Sequence, residues 1–139
     1  AYVDGCLYHY RNNAQSMTAA FDPHLTETIF IPLDILRTYF DTDKRALFAQ
    51  YQMYAVYLLQ LWVRNQASLD CDLDRKGLRQ SCARVCQNQE LRALLASVPG
   101  ALPRQVAVAV HAVQQQKPGQ LYLLIKAWNL YYKLRNGRA

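Results

Sequence analysis

A chain of 139 residues with 52% hydrophobic and 12% aromatic content is long enough to bury one sizeable core, and that content excludes a disordered tail. Its formal charge of +6 comes from 16 Lys and Arg against 10 Asp and Glu, spread along the chain, which speaks for a solvated surface ahead of a dedicated nucleic-acid patch. Five Gly and five Pro punctuate long segments, a spacing that favours helices over the turn-rich pattern of a sandwich or barrel.

The opening AYVDGC does not lead a basic region into an apolar one, so no signal or transit peptide is expected. From Asp4 to Phe21 the apolar residues Leu7, Tyr10, Ala14, Met17 and Phe21 recur at threes and fours, predicting a helix that Asp4 caps and Asp22-Pro23 ends. His24 to Ile31 reads as an extended connection or short turn. Pro32 suits a first helical position, giving a short helix through Leu33, Ile35, Leu36, Tyr39 and Phe40.

The longest charge-free run, ALFAQYQMYAVYLLQLWV, lies between Arg45 and Arg64 and predicts the central helix, starting at Asp41 or Thr42. Its apolar residues surround the axis, so neighbours are expected to cover it from several sides. The competing reading is a membrane span, since the run covers roughly 27 Å at 1.5 Å per residue. Gln50, Gln52 and Gln60 argue against it, because their amides are costly in hydrocarbon and at home in a buried polar network.

Beyond the polar stretch Asn65 to Ser68, Asp70, Asp72 and Asp74 alternate around Cys71. They resemble a calcium loop only in part: the Gly and distal Glu are missing at the required offsets, so capping and turn roles are expected. A helix follows from Leu73 or Arg75 to Cys86, weakened by Gly77, and another from Asn88 to Val98, stopped by Pro99-Gly100. Pro103 opens a helix that places Val106, Val110 and Val113 on one face, although Val106 to Val110 also alternates as a strand does. Helix is favoured by the Ala content and the Gln114 to Gln116 run. Lys117-Pro118-Gly119 breaks the chain. The last helix, Gln120 to Arg135, puts Leu121, Leu124, Ile125, Trp128 and Tyr132 on one face and ends at Asn136-Gly137, with Lys133 and Arg135 near its negative end. The whole predicts an all-α fold: a compact single-domain bundle of about five to seven helices, spanning residues 1–139, around a central buried helix.

Four cysteines carry the sharpest chemical signal: Cys6, Cys71, Cys82 and Cys86. Cys82 and Cys86 share a helix face but tilt the same way, which disfavours a bond between them. Pairing would join one of them to Cys71 and the other to Cys6, a staple worth roughly 2–4 kcal/mol in an oxidising compartment, whether secreted, periplasmic or intermembrane. Free buried thiols are the alternative, with a cytoplasmic setting. No C-x-x-C or H-x-x-x-H spacing completes a zinc site, and no metal or cofactor is expected. His9, His24 and His111 lie far apart, and neither a G-x-S-x-G elbow, a P-loop, a dinucleotide fingerprint nor H-E-x-x-H occurs, so no catalytic residue is assigned.

The run followed by Asn65-Gln66 and the closing Lys133-Leu134-Arg135-Asn136 resemble the helical pattern of interferon-gamma and interleukin-10 type cytokines. That resemblance implies a secreted helical ligand. The residues themselves favour a different function, a non-catalytic interaction or accessory subunit of a larger assembly. Tyr8, Tyr10, Trp128, Tyr131 and Tyr132, interleaved with Arg11, Lys126, Lys133 and Arg135, are the residue types enriched at interface centres. A protein partner or a homo-oligomer is expected, a nucleic-acid partner is the weaker alternative, and the same rings closing the core ends is the bland one.

Overall fold

Seven α-helices run through the described residues: α1 (Leu25–Thr28), α2 (Ile31–Arg37), α3 (Arg45–Gln66), α4 (Arg75–Gln87), α5 (Gln89–Leu95), α6 (Arg104–Gln114) and α7 (Pro118–Asn136). The structure is a computed structural model and describes residues 20–38 and 45–137. The helix expected over Asp4 to Phe21 up to residue 19, the Tyr39 and Phe40 end of the short helix, the start of the central helix at Asp41 or Thr42, and Cys6, Tyr8, Tyr10 and Arg11 lie outside them; Ala20 and Phe21, which are described, are not helical. The all-helical bundle is as the spacing predicts, and no strand occurs among the described residues. The alternating stretch Val106 to Val110 belongs to α6, where Val106, Ala109, Val110 and Val113 turn inward together at helical spacing.

The local signals act where the chemistry requires. Asp74 caps α4, its carboxylate accepting from the Gly77 N–H at 2.6 Å. A Cβ at position 77 would stand 3.0 Å from that same Asp74 oxygen, so the glycine lets the cap close tightly. Asn88 caps α5 through an Oδ1 that accepts from the Leu91 N–H at 2.9 Å.

Of the two alternatives for His24 to Ile31, the short turn is the one formed: the segment makes the single turn α1 and passes through Phe30 into α2, and this winding buries Ile29, Phe30 and Leu33 together. One boundary differs from expectation. Pro118 does not precede the last helix but begins it, since the N–H it lacks would have had no partner in the first turn anyway. Only residues 115–117 therefore separate α6 from α7, and Gln116 takes a left-handed φ of 50° to make the reversal.

The buried residues form one cluster centred on α3, from which Tyr51, Ala55, Val56, Leu58, Leu59, Trp62 and Val63 enter it. α5, α6, α7 and α1 all pack on α3, while α7 also lies along α4 and α6. Coverage is less complete than the apolar run predicts. Met53 and Tyr57 stay exposed on the far side of α3. Polar groups on α3 make specific ties: Trp62 Nε1 donates to Thr26 Oγ1 at 2.9 Å, and buried Gln52 donates to the end of α5. Gln52 thus takes up the buried-network role expected of the glutamines. No described helix is long and apolar enough to cross a membrane.

Candidate functional site

Cys71, Cys82 and Cys86 are free thiols, so the expected staple between Cys71 and one of the helix cysteines is not formed; Cys6 lies outside the described residues. Cys82 and Cys86 lie on the buried face of α4 with Leu78 and Val85, and Cys86 Sγ approaches the Ala112 carbonyl oxygen of α6 at 3.8 Å. Burial, with the neighbouring Cys86 adding to it, pushes the Cys82 thiol up to about 12. Burial likewise pushes Cys86 up to about 11 and raises Cys71. A thiol held protonated is a poor nucleophile and a poor metal ligand. Cys82 and Cys86 act as small apolar groups in the packing between helices, and the oxidising compartment draws no support from the three thiols.

The C-terminal interface residues divide by face. Trp128 and Tyr132 are half-buried and pack against the core, their rings meeting edge to face at a centroid distance of 6.1 Å. They close the bundle, as the bland alternative has it. Lys126, Tyr131, Lys133 and Arg135 are exposed.

Beside those four lie residues that the aromatic and basic pattern did not single out. Leu123, Leu130 and Leu134 are exposed by 65%, 57% and 57%. With Ala127 between them they recur at fours and threes, on the side of α7 opposite buried Leu121 and Ile125. α7 therefore carries two apolar stripes, of which the bundle covers one. The signal was present in the sequence as a second helical period.

The uncovered stripe continues into a groove between α6 and α7 with a volume of about 670 Å³. Ala107 and Val108 of α6 and Leu123, Leu124 and Ala127 of α7 line it, with Arg104, His111 and Gln120 as its polar groups. None of those three is a carboxylate or a thiol. Glu90 is the last acidic residue in the chain, so α6 and α7 contain no Asp or Glu. Both ion pairs among the described residues, Arg84 with Glu27 at 3.1 Å and Arg37 with Glu90 at 3.4 Å, use acids that precede α6. Arg104, Lys126, Lys133 and Arg135 join no ion pair among the described residues.

A second basic cluster borders α4. The Arg79 guanidinium carbon lies 5.2 Å, and the Lys126 ammonium nitrogen 5.9 Å, from the centroid of the Tyr122 ring. Cations at these distances are held by the electron density of the ring face.

No family model, curated protein or solved structure matches this chain. The cytokine-like helical pattern therefore gains no support from known proteins.

Proposed function

We propose that the protein is a non-catalytic helical interaction module, an accessory subunit of a larger assembly. The observation that carries this reading is the uncovered stripe Leu123, Leu130 and Leu134 running beside the α6–α7 groove. Scattered exposed leucines are ordinary, but three on one face of one helix beside an apolar groove form a contiguous patch, and such patches mark contact sites. Burying a Leu side chain completely gains about 1.5–3 kcal/mol, so this face offers a partner a substantial driving force.

A nucleic-acid partner is the second reading, favoured by Arg79 and Lys126 around Tyr122. Against it stands the use of that ring: its own cations occupy the aromatic surface on which a base would stack. Salt separates the two readings. An apolar contact survives between about 50 and 200 mM salt, whereas phosphate contacts lose affinity steeply over that range. Co-purification from native material across that series should retain a protein partner throughout. Recovery of the chain alone and monomeric at every salt concentration would overturn the assembly reading, and salt-sensitive retention on nucleic acid would replace it.

A further inference from the structure

The α6–α7 groove has a shape and a charge pattern that together specify its occupant. Its short side chains, Ala107 and Ala127, leave a trough beside Val108 and Leu123, which stand exposed. Two adjacent helices with such a trough accept the side-chain ridge of a third, at interaxial distances of about 8–10 Å. From Leu123 to Leu134 the stripe extends roughly 16 Å at 1.5 Å per residue, which matches a partner helix presenting anchors over three turns. The charged side chains of the two helices themselves carry one sign. Arg104 lies on the α6 side, Lys126 and Lys133 lie on α7 next to the stripe, none is in an ion pair among the described residues, and no acid occurs in either helix.

We propose that this groove receives an amphipathic helix from a partner protein, with an apolar ridge flanked by Asp or Glu side chains. This rests on the interaction-module reading and adds the chemistry of the partner. A second copy of the chain is a poor occupant, because an isologous contact through this face would bring Arg104, Lys126 and Lys133 against basic residues of the other copy. A lipid surface is a poor occupant too. It would reach the projecting Leu130 and Leu134 but leave the recess at Ala107 and Leu124 unfilled.

The test uses the full chain and two synthetic amphipathic helices with the same leucine ridge, one flanked by Glu and one by Lys, in fluorescence anisotropy at low salt. The Glu-flanked helix should bind at least about tenfold more tightly than its twin, since complementary charge sets the preference between partners of equal apolar content. Leu123→Glu should weaken that binding at least about tenfold. The pair Lys126→Glu and Lys133→Glu together should invert the preference toward the Lys-flanked helix; all three positions are exposed, and circular dichroism should show the fold retained. Equal binding of the two helices, no effect of Leu123→Glu, self-association to a dimer that Leu123→Glu abolishes, or Leu123-dependent binding to phosphatidylserine vesicles in place of the peptide would each overturn the proposal. If neither helix binds while native co-purification still yields a partner, this assignment falls and the interaction-module reading stands. A lone monomer in native material overturns the module reading instead.

Discussion

The side-chain amide of Gln52, buried midway along α3, donates to both the backbone oxygen of Ser97 at 3.0 Å and its hydroxyl at 3.1 Å. The same nitrogen reaches the Leu94 carbonyl oxygen at 3.0 Å, so one polar group on the central helix satisfies the backbone that leaves α5. Removing it strands the buried Leu94 carbonyl, while the exposed Ser97 can turn to water. Gln52→Ala should therefore destabilise the protein by about 1–3 kcal/mol, the cost of leaving a buried polar group unpaired. Urea unfolding measures this; a change indistinguishable from that of an exposed glutamine such as Gln50 would show that the tie contributes nothing.

Leu59 is 1% exposed at the centre of the core, and Leu58 is nearly as deep. Leu59→Ala should cost roughly 2–5 kcal/mol, whereas the exposed Leu130→Ala should stay within about 0.5 kcal/mol. Equal costs at the two positions would contradict the division of apolar residues between core and surface.

Trp128 and Tyr131 lie three residues apart but on different terms with the bundle. Trp128 packs on the core and meets Tyr132 edge to face, while Tyr131 is 57% exposed. Trp128→Ala should lower stability by about 3 kcal/mol and Tyr131→Ala by no more than about 0.5 kcal/mol. Thermal unfolding of the two variants decides it, and a larger loss from Tyr131→Ala would mean that the exposed ring, not the half-buried one, closes the core.

The buried thiols make stability depend on alkaline pH. Cys82 and Cys86 rise from an ordinary 9.0 to about 12 and about 11, so the folded chain keeps protons that the unfolded chain releases. Stability from this source is fully present below about pH 9, is lost as pH climbs toward 11 and 12, and has the sign of a group whose folded value is raised. Replacing both residues with Ala should flatten the fall in unfolding free energy over that window, whatever the variant's starting stability. An unchanged slope would show that the thiols do not titrate with folding. Native alkylation at neutral pH should also modify half-buried Cys71 faster than either buried cysteine.

Several features of this protein follow from the sequence by itself, because they are local. The breakers Pro99-Gly100 and Asn136-Gly137, the cap at Asp74 and the helical choice for Val106 to Val110 all depend on residues within a few turns of one another. Tertiary structure decided the rest. α7 carries two apolar stripes of comparable quality, and periodicity cannot tell which one meets α3, α4 and α6; only their placement turns Trp128 and Tyr132 inward and leaves Leu123, Leu130 and Leu134 outside. The same holds for the thiols. Whether Cys71 meets Cys82 or Cys86 depends on how the loop before α4 lies against the bundle, a distance that spacing along the chain does not contain.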